Sequence, residues 1–441
     1  MKEDVSGWGR YPMLACDTLH PADKSALLNV GQDGGRAVAR GAGRSYGDAA
    51  IGIDLTIASK GLNRLLEFDA ETGQLVCEAG LLLTDLLDVM LPRGWIVPVT
   101  PGTRYVTIGG MIAADVHGKN HHVAGSFCDH VDWIDLMIGD GRLQRCSRDE
   151  HADLFAASCG GMGLTGIILR AAVRMKPVPS ASIRQRTIRA PDLAAALATF
   201  EASMDWTYSV AWIDCLAKGA RLGRSAIFLG EHAAVGELPK PARDDPYRRS
   251  RSARLKVPVD MPTWALSSPF MRGFNSVYYA AQKSGESIVP LYPYFYPLDA
   301  IGQWNRIYGR RGFVQYQCVI PLESSEIALR TILTETSNAG SGSFLAVLKR
   351  MGAESFGLLS FPKPGYTLAL DFPVNDTNLA LLDRLDAITA EHGGRIYLAK
   401  DARAKPSFAR GYPRIDEFRA VRNRYGLTDR YASRLSQRLE I

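Results

Sequence analysis

Three clusters of small residues, each beside an apolar run, constrain this chain most. The first is Arg40-Gly41-Ala42-Gly43-Arg44-Ser45-Tyr46-Gly47-Asp48. The second runs from Thr100-Pro101-Gly102-Thr103 to Thr107-Ile108-Gly109-Gly110-Met111-Ile112-Ala113-Ala114-Asp115-Val116-His117-Gly118. The third is Gly160-Gly161-Met162-Gly163-Leu164-Thr165-Gly166-Ile167-Ile168. Close-set glycines let backbone N–H groups approach a phosphate. Small side chains such as Ala113 and Ala114 leave room for a bulky group. None of the clusters reads G-x-G-x-x-G, and none holds the Gly-Lys-Ser/Thr of a phosphate-binding P-loop. Singly, each is as readily an ordinary turn. Three within about 130 residues point to one extended, buried cofactor.

At 441 residues the chain exceeds the roughly 250–300 residues at which one core stops growing, so more than one domain is expected. Hydrophobic residues make up 46% and charged residues 22%, enough for a sizeable core. No apolar run approaches the ~20 residues of a membrane span. Met1 to Gly9 lacks the apolar core of a secretory signal. The expected location is therefore cytoplasmic, or peripheral at the inner membrane and cell envelope. Seven scattered cysteines, odd in number and without a C-x-x-C, argue for reduced, packed thiols and against a disulfide framework or a zinc site. His117, His121 and His122 lack a third ligand at suitable spacing, so no metal is expected. The net charge of +6 is mild. No basic helix or aromatic–basic motif suggests nucleic acid.

The patterning predicts strands at 65–68 and 75–79, a short helix from Thr84 stopped by Pro92, and strands at 107–108, 131–138 and 165–174. Pro177 and Pro179 mark a boundary, giving segments 1–180, 181–400 and 401–441. Between about 230 and 263, five prolines and Arg248, Arg249, Arg251, Arg254 and Lys256 predict a mobile, solvated basic loop. Phe313–Ile320 alternates as a strand. Helical spacing follows at 323–337, strands at 343–350 and 366–374, a helix at about 377–391 capped by Asp376 and stopped by Gly393, and a last strand at 395–399. This β-α-β-β-α-β order is a split βαβ unit. It predicts a four-stranded antiparallel sheet with two helices on one face and the other face free to cover a ligand. No internal repeat is apparent.

The glycine clusters resemble the FAD-binding domain of the vanillyl-alcohol-oxidase (p-cresol methylhydroxylase) superfamily over residues 1 to about 178. The resemblance implies an α+β fold, a two-part FAD domain followed by a substrate cap, and FAD as cofactor. It implies FAD contacts from Arg40, Gly41, Ala42, Gly43, Arg44, Ser45, Tyr46, Thr100, Gly102, Thr103, Gly109, Gly110, Ala114, His117 and Gly118, with Ser126 and Ile168. Many sugar oxidases of the superfamily carry a flavin-linking histidine in the first loop. This chain has Arg44 there, so non-covalent FAD is expected.

A narrower similarity is carried by His117-Gly118-Lys119-Asn120-His121-His122, Tyr208-Ser209-Val210-Ala211-Trp212, Gln303-Trp304-Asn305-Arg306, Gln315-Tyr316-Gln317 and Tyr397-Leu398-Ala399-Lys400-Asp401. It is to the superfamily's oxidases of polyprenylphosphoryl ribose. The chain departs at Ala369, where mycobacterial members have cysteine. The similarity implies oxidation of the ribose C2′ hydroxyl to the 2′-keto sugar, the first half of an epimerisation that makes an arabinose donor for envelope glycans. An NAD(P)H-dependent short-chain reductase would finish it, and quinone or oxygen would take the electrons. Lys400, Tyr46 and His117 would stand at the reacting centre. Gln315, Gln317, Lys119, Asn305, Lys349 and Lys400 would hold substrate. From the residues alone, Lys400 reads as an edge-strand lysine, the glutamines as a solvated sheet face, and Trp212 as core or pocket wall. The basic loop could meet a lipid phosphate at a membrane surface. The rival readings are an aldonolactone or alditol oxidase and a flavin-free polyprenyl-phosphate-binding protein.

Overall fold

The structure, a computed structural model, describes residues 2–27, 30, 35–139, 141–248, 255–262, 266–342 and 345–441. Two sheets build the N-terminal part. The first holds β1 (Lys2–Ser6), β2 (Met13–Leu19), β3 (Ala37–Arg40) and β4 (Leu55–Ala58), in the order β1-β2-β4-β3. The second is antiparallel: β5 (Leu65–Phe68), β6 (Gln74–Glu78), β7 (Val131–Met137), β8 (Leu143–Ser147) and β9 (Ile167–Arg174), in the order β5-β6-β9-β7-β8. Helix α1 (Leu83–Met90) buries Leu83, Leu86, Leu87 and Met90 along one side and passes into a tighter turn at Pro92. That is the expected i, i+3, i+4 stripe.

Residues 107–108 are not a strand. Thr107 caps the helix α2 (Ile108–Ala113), its hydroxyl accepting from the Gly110 N–H at 3.2 Å. The Thr107 cap and the burial of Ile108, Met111 and Ile112 on one side outweigh the β-branched pair Thr-Ile and the poor helix propensity of the two glycines.

The C-terminal sheet corrects the four-stranded expectation. It has eight strands, all antiparallel. The first half contains β10 (Ser182–Ala190), helix α3 (Leu193–Glu201), β11 (Tyr208–Ile213), β12 (Ser225–His232), helix α4 (Ser268–Ala281) and β13 (Gly285–Pro290). The second contains β14 (Phe313–Pro321), helix α5 (Leu322–Ala339), β15 (Ala346–Met351), β16 (Gly365–Pro373), helix α6 (Asp376–Glu391) and β17 (Arg395–Ile396). Sheet order is β13-β10-β12-β11-β15-β16-β14-β17. Each half is a split βαβ unit, and the halves join edge to edge through β11 and β15. The chain thus carries a structural repeat that its sequence hides.

Helices α5 and α6 cover one face of the second half. Tyr316 points to them, its hydroxyl donating to the Leu385 carbonyl at 2.8 Å. The cap of α6 is Asn375 rather than Asp376: the Asn375 side chain accepts from the Asn378 N–H. All seven cysteines are buried and free, as their scatter suggested. Arg249 to Arg254 of the basic loop, and residues 343–344 of the expected strand, lie outside the described residues. Among the described residues, no helix is long and apolar enough to cross a membrane.

The chain after Lys400 runs back over the first sheet. Tyr431 bridges to Ala37 beside β3. Helix α7 (Ile415–Arg424) supplies the buried Arg422, which donates to the carbonyls of Leu164 and Tyr431. Helix α8 (Arg434–Leu439) supplies Arg438, whose guanidinium pairs with Asp48 at 2.7 Å and Asp401 at 2.8 Å. Both carboxylates are nearly closed to solvent, so this cation clamps the glycine loop to the chain leaving the cap. We predict that Arg438→Met, which orphans two buried carboxylates, lowers unfolding free energy by about 3 kcal/mol in urea denaturation at pH 7. A change below about 0.5 kcal/mol would contradict the clamp.

Candidate active site

The glycine clusters form one wall of a cavity of about 710 Å³ and the open face of the eight-stranded sheet forms the other. The chemistry of the first wall is backbone. Gly41, Gly109 and Gly118 admit no side chain without collision: a Cβ on Gly41 would stand 2.1 Å from the Thr107 hydroxyl, and one on Gly109 would stand 2.9 Å from the Ala79 methyl. Gly43 has φ +64°, which glycine adopts freely. Gly102 has nothing within 4 Å of its Cβ position and faces open cavity. Such a wall presents amides to a long ligand at close range.

Ala42, Arg44, Ser45, Tyr46, Thr100, Thr103, Gly110, Ala114, His117 and Ile168 also line the cavity. Two expected cofactor residues stand behind the wall. The Arg40 guanidinium donates to the Ser6 carbonyl at 2.6 Å and braces β1. Ser126 sits beside His121, with Oγ 3.3 Å from Nε2, and its N–H donates to Asp129. Arg44 stacks on Trp8, 3.9 Å from the ring centroid, so the position of the linking histidine holds a guanidinium over an indole.

The second wall comes from strand alternation. Gln315 and Gln317 on β14 both face the cavity, opposite in direction to Tyr316. The Gln315 amide donates to Asp371 at 2.5 Å. The Gln317 amide meets the Thr367 hydroxyl at 3.1 Å and His117 Nε2 at 3.0 Å. If the amide donates, His117 carries its proton on Nδ1. That Nδ1 is buried and has no hydrogen-bond partner among the described residues. Burial, with Lys349, His121 and Lys400 nearby, holds His117 well below the usual imidazole pKa, so it is neutral. Tyr397 and Phe361 flank its ring at 5.1 and 5.4 Å.

Lys400 is not on a strand. It ends a 3-10 turn (Leu398–Lys400) after β17, and its ammonium lies 3.6 Å from the Tyr46 ring centroid. Burial pulls its pKa down, against the attraction of Asp371; burial pushes Asp371 up. Each is drawn toward its neutral form. Sequence reading missed Asp371, although an aspartate inside the apolar run Gly365–Pro373 was the available signal. It also missed Asp299, which lines the cavity and accepts from the Thr103 hydroxyl at 2.7 Å and the Arg104 N–H at 2.9 Å.

Lys119 and Lys349 complete the set. Burial lowers Lys119 to about 7 and Lys349 to about 8. Lys119 donates to the Tyr294 carbonyl and lies 4.2 Å from that ring centroid. Lys349 has no hydrogen bond or ion pair among the described residues. Asn305 stands behind the wall, where its amide donates to the Trp8 carbonyl at 3.1 Å. Trp212 is pocket wall, and so is Ala369. His121 and His122 are used structurally: His121 Nδ1 accepts from the Gly352 N–H, and His122 Nε2 lies 2.9 Å from the Trp206 carbonyl.

The backbone donors and the cavity-lining Arg44, Lys119, Lys349 and Lys400 fit a long anionic cofactor on the glycine wall and a polar, anionic ligand opposite it. Comparison with known proteins agrees. Residues 21–147 match the family described as an FAD binding domain. Decaprenylphosphoryl-β-D-ribose oxidase of Mycolicibacterium smegmatis is 38% identical over 450 aligned residues, 99% of this chain and 97% of that protein. An uncharacterised protein of Streptomyces coelicolor is 34% identical over 378 residues, 81% of this chain and all of that protein. L-gulonolactone oxidase of Mus musculus is 33% identical over 139 residues, 31% of each chain.

A buried lysine with a lowered pKa costs stability wherever the unfolded chain holds its proton more tightly. For Lys349 the cost is full below about pH 8 and fades toward the unfolded value near 10.5. We predict that Lys349→Met stabilises the FAD-loaded protein by about 1–2 kcal/mol at pH 7, and by less at pH 10, in denaturation followed by fluorescence. Equal effects at both pH values would show that the ammonium is not desolvated.

Proposed function

The chain belongs to the family of FAD-linked oxidases that includes decaprenylphosphoryl-β-D-ribose oxidase, and on that premise we propose that it oxidises the ribose C2′ hydroxyl of a polyprenylphosphoryl-β-D-ribose to the 2′-keto sugar. What carries the reading is one cavity that joins the glycine wall to Lys349, Lys400, Gln315 and Gln317. The likeness to the ribose oxidase spans the cap as well as the FAD domain. Likeness to the gulonolactone oxidases covers only about a third of the chain, against 99% for the ribose oxidase.

FAD would rest on Gly41 to Tyr46, Thr100 to Thr103, Gly109, Gly110, Ala114, His117, Gly118 and Ile168, and when bound supplies the acceptor for the hydride leaving C2′. Arg44, stacked on Trp8, offers no nucleophile for a covalent link, so FAD is held non-covalently. Gln315 and Gln317 offer amides to sugar hydroxyls. Lys400, with a lowered pKa, presents Nζ as an amine to the C2′ hydroxyl and takes its proton as the hydride departs. Tyr46 holds that Nζ over its ring. Neutral His117 packs against the Gln317 amide at 3.0 Å and holds it at the cavity wall. Lys349 and Lys119 balance the phosphate charge.

A quinone or oxygen would take the electrons, and an NAD(P)H-dependent short-chain reductase would return hydride to complete the epimerisation. Peripheral membrane contact is supported by the outer side of α4, where Phe270 and Val277 are 57% and 71% exposed.

The test is anaerobic mixing of the yellow protein with a short-chain polyprenylphosphoryl ribose. Flavin absorbance should bleach, and should not with the sugar-free lipid phosphate. The bleaching rate should rise with pH, with a midpoint well below the ordinary lysine value of 10.5. Lys400→Met should slow it about 100-fold or more with the yellow colour retained. Persistent yellow colour with the ribose substrate would overturn the reading and turn attention to aldonolactones and alditols. A colourless purified protein that still bound lipid phosphate would select the flavin-free reading.

A further inference from the structure

The register of the eight-stranded sheet acts as a ruler across the cavity. Gln317 on β14 pairs with Ala369 on β16, Ala369 with Val347 on β15, and Val347 with Trp212 on β11. All four line the cavity. Directly paired residues share a face, and neighbouring strands lie about 4.8 Å apart, so Trp212 stands about 14 Å from Gln317. Val210, two residues from Trp212 on the same face, pairs with Phe228 on β12 and carries the wall one strand further. Lys349 lies between, two residues along β15 from Val347.

Chemistry changes along this ruler. The Gln317 end is polar. The middle holds the Lys349 ammonium. Beyond it the wall is Val210, Trp212 and Phe228, with Phe274 and Tyr278 of α4, edged by the amides of Gln185 and Gln282 and by Lys119, whose carbonyl accepts from the Ser209 N–H of β11 at 2.8 Å. The Trp212 and Tyr278 rings lie 4.7 Å apart. The charged side chains that line the cavity are Arg44, Lys119, Asp299, Lys349 and Lys400, and none of them sits on β11, β12 or α4. This lobe opens at Phe274, which is 41% exposed, beside the exposed Phe270 and Val277 on the outer side of the same helix. A polar head, an anion and a hydrocarbon tail, in that order, match the three zones.

We propose that the lobe between β11, β12 and α4 binds the first isoprene units of a phosphorylated polyprenyl substrate and sets the shortest chain the protein accepts. This rests on the ribose-oxidase reading for the identity of the head group. The tail passes Trp212 and Phe228, leaves beside Phe274, and continues over Phe270 and Val277. Apolar burial of five carbons per isoprene makes a gain of about tenfold or more in affinity per unit expected until the lobe is filled.

The experiment measures calorimetric binding of isopentenyl, geranyl and farnesyl phosphates to the FAD-loaded protein. Affinity should rise at least tenfold from the five-carbon to the fifteen-carbon phosphate. Phe228→Ser and Tyr278→Ser should each remove most of that gain, while Ile327→Ser, exposed on α5 and away from the cavity, should keep it. A photoreactive farnesyl phosphate should label peptides from 208–213, 225–232 or 268–281, which tests the site in the unmodified chain. Affinity independent of chain length, or labelling confined to other segments, overturns the proposal. The probes carry no ribose. A chain-length gain with labelling of these peptides therefore upholds the lobe even where the ribose substrate leaves the flavin yellow, and a flat series with normal bleaching sinks the lobe alone.

Discussion

The pairing of β11 with β15, through Ala211 against Leu348 and Trp212 against Val347, makes one sheet of two split βαβ units. Alone, each unit would leave the edge strand β11 or β15 unpaired, a row of open backbone donors and acceptors. Joined, they present one continuous face broad enough to span a ligand longer than a sugar. Everything placed on that face inherits its order from the register. Amides, a lysine and apolar rings follow one another because β14, β16, β15, β11 and β12 do.

The opposite wall works by omission. Glycines at 41, 43, 102, 109, 110 and 118 remove side chains where backbone must come close, and Ala114 keeps its neighbour small. The side chains that might neutralise the lysines are scarce within the cavity: Asp299 is held by Thr103 and Arg104, and Asp371 by Gln315 and Tyr308. Three half-buried lysines are thus drawn toward their neutral form by desolvation, with Asp371 beside Lys400 alone, an arrangement that costs stability in the free protein and favours anionic ligands. The α7–α8 segment ties the glycine wall to the cap through Arg438, so the two walls are held by ion pairs as well as by packing.

Legibility in the sequence followed periodicity. The second split unit was readable because its strands alternate and its helices repeat every three or four residues. The first unit was not, because residues 233–267 intervene between β12 and α4 and break the pattern that would have exposed the repeat. Gln315 and Gln317 could be placed on one face by alternation alone. Lys400 could be singled out by resemblance, but its turn could not, since Arg395 to Ala399 carries strand-like composition. Arg40, Ser126 and Asn305 illustrate the other limit. Arg40 and Asn305 lie next to cavity residues in sequence, and only the fold shows that the polar groups of all three are spent on Ser6, Asp129 and Trp8.

In the proposed reaction, cofactor and substrate face each other across this cavity, with the reacting hydroxyl at Lys400. A crystal structure of the FAD-loaded protein with a polyprenylphosphoryl ribose carrying fluorine in place of the C2′ hydroxyl tests it directly. Flavin against the glycine wall, C2′ beside Lys400 and the phosphate within reach of Lys349 are the expected arrangement. A sugar bound outside the cavity, or with its phosphate at Lys400 and its ring beyond Trp212, would contradict it.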